Sequence, residues 1–326
     1  MRTVYLGTSD FAVTVLERLA STEHRPVLVI SRPDRPSGRG RKLHAPPVAE
    51  SARALGIELD QPEDVNSDEA RRRIAAAKPE AVLICAFGAL LKEPLLSSHP
   101  MLNVHPSLLP RWRGAAPIAR AIEAGDRVTG VSIMRPTAEM DAGPVCLQRE
   151  EPIHPGDDYG SLWPRLATLG ADLLIEALEA WPECVEQSDE GVTIAPKIEA
   201  SDRRLDLSLA PLELERRVRA LNPHVGTFVE MPDGGRLGVS AAAVPAGNDG
   251  GDRSAEPESP GPVARDHVTP EPAAPEPGRL AASGERLFYG CAGGALELLE
   301  VKPAGGRAMD AAAWLRGHGA ALAGER

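Results

Sequence analysis

Apolar positions in the first hundred residues follow two different periods. Thr3–Leu6, Pro26–Ile30 and Glu80–Ala86 are short, nearly continuous apolar runs, the pattern of strands buried on both faces of a sheet. Between them, Phe11, Val15, Leu16 and Leu19 recur at helical spacing within Phe11–Ala20. Val48–Leu55 and Asp68–Lys78 read as two more helices, the second with its arginines outward. Strand, helix, strand, helix, strand predicts parallel pairing with right-handed crossovers. Met101–His105 and Thr129–Met134 add two short strands, and Leu162–Leu178 predicts an amphipathic helix closing the domain.

From about Ser188 the pattern breaks up. This predicts a first domain over residues 1–188, a linker over 189–205 and a second domain over 206–326. In the second domain Ala210–Leu221 reads as a helix. Gly226–Met231, Arg236–Ala243, Arg286–Tyr289 and Ala295–Val301 read as short strands, at a spacing that suggests a small β-barrel, OB-like in kind. Residues 245–278 are rich in Pro, Gly, Ala and acids. Such a stretch buries too little apolar surface to order itself and is expected to be a flexible insertion. The expected fold class is thus α/β, a doubly wound and mostly parallel sheet, with a second, smaller β-barrel domain.

Composition narrows the function. No apolar run approaches bilayer length, and the first residues read as a strand and turn rather than a secretion signal, so the cytoplasm is the expected compartment. Cys85, Cys146, Cys184 and Cys291 lie far apart with no CxxC, which argues against structural zinc and a disulfide framework; no metal is expected, and most of the four should be small buried hydrophobes. A net charge of −11 argues against phosphate binding by the whole surface. One local basic segment departs from that balance: Arg32, Arg35, Arg39, Arg41 and Lys42 surround a single acid, Asp34, with Gly38 and Gly40 among them. The segment follows the second strand and so belongs to the carboxyl edge of the sheet. An arginine-rich, flexible loop there suits phosphate contacts and ordering on RNA. Gly7-Thr8-Ser9-Asp10 lacks the full GxGxxG pattern, so it reads as a strand-to-helix turn with Ser9 or Asp10 as N-cap, and a nicotinamide-dependent oxidoreductase is disfavoured.

The densest chemistry lies in Leu102-Asn103-Val104-His105-Pro106-Ser107-Leu108-Leu109-Pro110. Two residues apart on a strand, Asn103 and His105 point to the same side. Prolines then end the strand at the edge where open α/β sheets bind ligands. About thirty residues on, Glu139-Met140-Asp141-Ala142-Gly143 places a carboxylate in a loop that glycine lets approach a ligand. Taken singly, His105 as a strand-end cap and Asp141 as a turn residue would be the plainer reading. Together, Asn, His and Asp fit acyl transfer to an amine, which is its own nucleophile. Asn103 or protonated His105 can stabilise the developing oxyanion, His105 can move protons between nitrogens, and Asp141 can orient the imidazole.

Asn103-Val104-His105-Pro106-Ser107-Leu108-Leu109-Pro110 resembles the signature of the 10-formyltetrahydrofolate-dependent formyltransferases, and Asp141 matches that family's catalytic aspartate. The resemblance implies a catalytic set of Asn103, His105 and Asp141. It also implies a folate slot formed by the loop containing Ala89, Leu90 and Leu91, by the turn Ser107, Leu108, Leu109 and Pro110, and by Glu139, Met140 and Gly143. The opening Gly7-Thr8-Ser9-Asp10-Phe11-Ala12, in which Ser9 replaces the usual proline, the segment Pro33–Leu43 and Pro110-Arg111-Trp112-Arg113-Gly114-Ala115-Ala116-Pro117-Ile118 are similar to members that formylate methionyl initiator tRNA. By that resemblance Arg35, Arg39, Arg41 and Lys42 contact the tRNA, Arg39 foremost, and the second domain helps to hold it. A monomer is expected. The rival readings are a member of the same family acting on an amino-sugar nucleotide or other small amine, against which the basic segment speaks, and a noncatalytic RNA-binding protein, against which the Asn103, His105, Asp141 set speaks.

Overall fold

The apolar runs become the inner strands of a seven-stranded sheet in the computed structural model, which describes residues 1–37, 42–231, 234–245 and 274–323. In chain order the strands are β1 (Thr3–Gly7), β2 (Pro26–Ile30), β3 (Glu58–Asp60), β4 (Ala81–Cys85), β5 (Met101–His105), β6 (Val128–Met134) and β7 (Val145–Pro152). Their spatial order is β7-β6-β5-β4-β1-β2-β3, parallel from β5 to β3 and antiparallel from β5 through β7. Every side chain of β1 and of β4 is buried, because helices cover both faces of the parallel part. The chain steps outward from β1 to β3 and then returns to β4 on the other side of β1. That reversal makes the carboxyl ends of β1 and β4 a topological switch point, the place where open sheets take ligands.

Helices α1 (Asp10–Ala20), α2 (Pro47–Ala54), α3 (Asp68–Ala76), α4 (Pro117–Ala124) and α5 (Tyr159–Ala180) connect or flank these strands. The apolar face foreseen for α1 is the buried one. Ser9 occupies its N-cap position without a side-chain cap bond, and Asp10 sits in its first turn. The longest helix, α5, packs on α1, β5 and β6. Gly170 permits its close approach: a Cβ there would lie 2.8 Å from Val104 Cγ1, between the two β5 positions that matter most below.

Residues 1–121 with 126–197 form one compact unit and residues 122–125 with 198–326 another. The expected linker over 189–205 is therefore divided. Ile194–Ala195 pairs in parallel with Arg113–Gly114 in the first unit, and Leu205 lies in the core of the second. A two-residue pairing has too little apolar content to announce itself. The second unit holds α6 (Pro211–Leu221), β8 (Thr227–Glu230), β9 (Arg236–Ala243), β10 (Leu280–Ser283), β11 (Arg286–Cys291), β12 (Gly294–Lys302) and α7 (Ala311–Ala323). Its strands pair antiparallel in the order β8-β9-β12-β11-β10 over a core that includes Leu214, Val218, Leu287, Leu296 and Trp314. Most of the expected insertion 245–278 lies outside the described residues, but its end does not behave as an insertion. Gly278 N donates to Gly290 O at 2.9 Å, tying that end to β11.

Two further expectations need correction. The basic segment is not wholly loop: Arg35–Ser37 pairs antiparallel with Lys42–His44, while residues 38–41 lie outside the described residues. Cys146 and Cys184 are joined in a disulfide, 38 residues apart in sequence, next to the Val145–Val185 bridge. Sequence distance hid a proximity that β7 and the segment after α5 create. Cys85 and Cys291 are free and buried, and burial pushes the Cys85 thiol up to about 12.

The start of α5 carries a concentrated polar anchor. Asp158 accepts from Ser161 N at 2.8 Å as N-cap, and buried Asp157 accepts from both Arg165 terminal nitrogens, at 2.8 and 2.9 Å, as well as from Ser161 Oγ and His154 N. The Arg165 hydrogen bonds, then those of Ser161 and His154, hold the Asp157 carboxyl well below the usual carboxylate range. A depressed folded-state value gives stability that is complete above the unfolded value, near pH 4, and is lost as pH falls further. Asp157→Asn is therefore expected to lower the urea midpoint at pH 7 and to make its decline between about pH 4 and pH 2 shallower than in the parent. Parallel slopes for the two proteins would show that this carboxylate is not linked to folding.

Candidate active site

Asn103 and His105 share one face of β5, and Val104 between them faces Gly170 of α5. Beyond β5 the chain makes a turn whose polar groups are bonded within the protein. Ser107 is fully buried. Its hydroxyl donates to Arg111 O at 2.6 Å, and its carbonyl accepts from Ser132 Oγ at 2.6 Å. Leu109 N donates to Ser132 Oγ at 3.1 Å, and Leu109 O accepts from Gln148 Nε2 at 2.7 Å. At the end of the turn Trp112 takes a left-handed backbone, φ 63°, and its N–H donates to Thr193 Oγ1 at 2.8 Å.

This conformation brings the Trp112 carbonyl to 2.9 Å from His105 Nε2. A carbonyl only accepts, so Nε2 carries a hydrogen and, in the neutral imidazole, Nδ1 is the nitrogen with a free lone pair. Nδ1 faces Asp141 Oδ2 at 3.6 Å, with the imidazole almost fully buried. Among the described residues, the Asn103 amide makes one long contact, to Met134 Sδ at 3.7 Å, so the carboxamide keeps donor capacity for a ligand.

Asp141 reaches His105 because the loop between β6 and β7 doubles back. Arg135 N donates to Pro144 O at 2.9 Å, and a Cβ at Gly143 would overlap the Arg135 carbonyl, so only glycine fits. Asp141 itself is left-handed, φ 51°, a conformation that a non-glycine residue needs its surroundings to maintain. Gly114 N donates to Asp141 Oδ2 at 3.0 Å, and Gln187 Nε2 donates to Asp141 O and Gly143 O at 2.8 and 2.7 Å.

Behind the turn, Asp126 accepts from Arg111 Nε at 2.9 Å, Arg111 Nη2 at 2.6 Å and Trp112 Nε1 at 2.7 Å. The Arg111 guanidinium also lies over the Trp112 ring, 4.5 Å from its centroid, and the hydrogen bond to Asp126 raises the Arg111 pKa. Asp126, Thr193 and Gln187 carried no sequence signal. Each gains the partner that ties it to the site only once the chain is folded.

The residues expected to line a folate slot divide by exposure. Leu90 and Met140 are exposed, Glu139 is exposed with a long ion pair to Arg113, and Ala89, Leu108 and Pro110 are half-buried. Ser107, Leu109, Leu91 and Gly143 are buried; Ser107 and Leu109 spend their polar groups on the turn, so they build a wall rather than present side chains to an opening. In the loop after β4, Phe87 and Leu91 are core anchors, Ala86 and Gly88 are left-handed, and Thr8 Oγ1 donates to Phe87 O at 2.7 Å across the switch point. Arg35 and Lys42 are exposed on the paired strands that follow β2, and Arg39 and Arg41 lie outside the described residues.

A buried imidazole with one fixed tautomer, a carboxylate beside it and an amide donor on the same strand can move a proton and stabilise an oxyanion without a nucleophile from the protein. Comparison with known proteins agrees with this chemistry. A family model described as formyl transferase matches residues 1–178, and one described as formyl transferase, C-terminal domain, matches residues 197–319. The chain belongs to the formyl transferase family. It is 41% identical to a methionyl-tRNA formyltransferase of Methylococcus capsulatus, over 100% of this chain and 99% of that protein. Two solved structures share the formyl transferase fold at low identity. HypX from Aquifex aeolicus in complex with tetrahydrofolic acid matches with a TM-score of 0.58 and 18% identity, over 97% of this chain and 47% of that one. An N-formyltransferase from Helicobacter canadensis, in complex with folinic acid and dTDP-3-aminofucose, matches with a TM-score of 0.61 and 13% identity, over 91% and 98%.

The Asp126 cluster generates a stability prediction. Asp126→Ala leaves the Arg111 fork and the Trp112 indole N–H without their acceptor, and is expected to cost about 1–3 kcal/mol in urea unfolding. An unchanged midpoint would show that water replaces the carboxylate without loss.

Proposed function

We propose that this formyl transferase moves the formyl group of 10-formyltetrahydrofolate to the α-amine of methionine esterified to initiator tRNA, in the cytoplasm and ahead of translation initiation. The reaction class rests on one observation above all: His105 Nδ1, the proton-exchanging nitrogen, faces Asp141 Oδ2 at 3.6 Å on the face of β5 that carries Asn103. The acceptor rests on the full-length 41% identity to a methionyl-tRNA formyltransferase, against 13% to the amino-sugar relative, and on the basic segment after β2.

The folate supplies a formyl carbon bonded to nitrogen. As the methionine amine adds to that carbon, the Asn103 carboxamide donates to the oxygen that becomes negative. His105 takes the proton released by the amine at Nδ1, and Asp141 stabilises the imidazolium that results. The same proton passes to the folate nitrogen as its bond to the formyl carbon breaks, leaving tetrahydrofolate and the formylated amine. Trp112 keeps Nε2 out of the transfer by holding its hydrogen. The loop after β4 fits a flat, partly apolar ring. Its buried anchors Phe87 and Leu91 fix the backbone, Asn66 Nδ2 binds Leu90 O at 3.0 Å, and Ala86, Gly88 and Leu90 are left at the surface.

An acceptor screen tests the proposal. With 10-formyltetrahydrofolate as donor, charged initiator tRNA is expected to be formylated far faster than charged elongator tRNA or an amino-sugar nucleotide; preference for the sugar would overturn it. Asn103→Ala, His105→Ala and Asp141→Asn should each lower turnover roughly 100- to 1000-fold while the far-ultraviolet circular dichroism is unchanged. Near-normal turnover removes that residue from the mechanism. Replacing Arg35, Arg39, Arg41 and Lys42 together should weaken tRNA use much more than folate binding, and should flatten the salt dependence of tRNA binding as fewer counterions are released. An unchanged salt slope would return the basic segment to the status of solvated surface.

A further inference from the structure

We infer that Gln187 is a positioning residue for formyl transfer, holding Asp141 against His105 through a closed ring of hydrogen bonds. The inference rests on the catalytic reading of Asp141 and His105 given above.

The ring joins two loops that are distant in sequence. Gly114 N donates to Asp141 Oδ2 at 3.0 Å, and Gln187 Nε2 donates to Asp141 O at 2.8 Å. Gln187 Oε1 accepts from Arg113 Nε at 2.9 Å, and Arg113 is bonded covalently to Gly114. The second hydrogen on Gln187 Nε2 goes to Gly143 O at 2.7 Å. Both hydrogens of the carboxamide and one lone pair of its oxygen are therefore used, and its orientation is fixed by chemistry. Turned over, it would set an oxygen against two carbonyls and an NH2 against a guanidinium.

Each part of this ring is backed by something rigid. Arg113–Gly114 is paired with Ile194–Ala195, and a Cβ at Gly114 would lie 2.7 Å from Ala195 O, so the backbone there is tightly pinned. Gln187 follows the two-way Val145–Val185 bridge, both bonds 2.8 Å, and the Cys146–Cys184 disulfide. Asp141 is the strained member, with its left-handed backbone. Its carbonyl and that of Gly143 are both held by one side chain. Without those donors the loop has two unsatisfied acceptors, the Gly114 N–H is left to hold Oδ2 against a strained backbone, and Oδ2 is expected to move away from Nδ1. Gln187 touches neither reacting group nor the imidazole; it acts through Asp141.

The test compares Gln187→Glu, which keeps the acceptor and removes both donors, with Gln187→Met, similar in length and uncharged, in case the glutamate variant does not fold. With charged initiator tRNA and 10-formyltetrahydrofolate, kcat is expected to fall about 10- to 100-fold, the scale of a misplaced catalytic group, while KM for each substrate stays within about threefold. In single turnover with enzyme in excess, adding Gln187→Met to Asp141→Asn should cost no more than about a further twofold, because a residue that works through Asp141 has nothing left to position. Parent-like kcat in Gln187→Met beside a crippled Asp141→Asn would overturn the inference. So would the same fold-loss in both backgrounds, which marks a structural role. Near-normal turnover of Asp141→Asn alone would bring down the catalytic reading itself, a result distinct from either.

Discussion

The hydrogen bond between His105 Nε2 and the Trp112 carbonyl governs how the rest of the site can be understood. An imidazole beside a carboxylate is ambiguous until its other nitrogen is assigned, and here a backbone oxygen makes the assignment. The bond depends on a tryptophan held in a left-handed conformation. That conformation depends in turn on Thr193 from one side and Asp126 from the other. Thr193 and Asp126, which make no contact with the imidazole, thus decide which of its nitrogens is occupied.

The sheet explains why these contacts converge. Its parallel half creates a crevice at the carboxyl ends of β1 and β4, closed across by Thr8 and Phe87. Its antiparallel half brings the β6–β7 loop back over β5, which carries Asp141 to a histidine 36 positions earlier in the chain. Neither half suffices alone. In a purely parallel sheet the chain leaving β6 would have needed a crossover to the far end of the sheet, and no short connection would bring Asp141 back to the carboxyl end of β5.

Legibility in the sequence followed apolar content. β1, β2 and β4 are nearly continuous apolar runs, β5 is an apolar strand broken by Asn103 and His105, and α1 shows its buried face in the spacing of Phe11, Val15, Leu16 and Leu19. The edge strands β3 and β7 are short or largely charged and gave no run to read. Leu280–Ser283 sat next to a stretch whose composition masked it. Asn103, His105 and Asp141 were visible because their chemistry and spacing coincide with a strand end and a glycine loop. Gln187, Thr193 and Asp126 were not, since a glutamine, a threonine and an aspartate in polar surroundings look like any surface until tertiary structure gives them partners. The Cys146–Cys184 bond belongs with them: long-range pairing cannot be inferred from two separate cysteines.

The turn from His105 to Trp112 has a thermodynamic consequence. Its hydroxyls, amides and carbonyls at Ser107 and Leu109 are saturated by Arg111, Ser132 and Gln148 rather than left for an incoming molecule. That wall is preorganised. A ligand that settles against it does not have to freeze the backbone there, and the conformational entropy usually surrendered on binding was given up when the chain folded. For a ligand held at this edge, affinity would then be set by shape and by the few groups still facing outward.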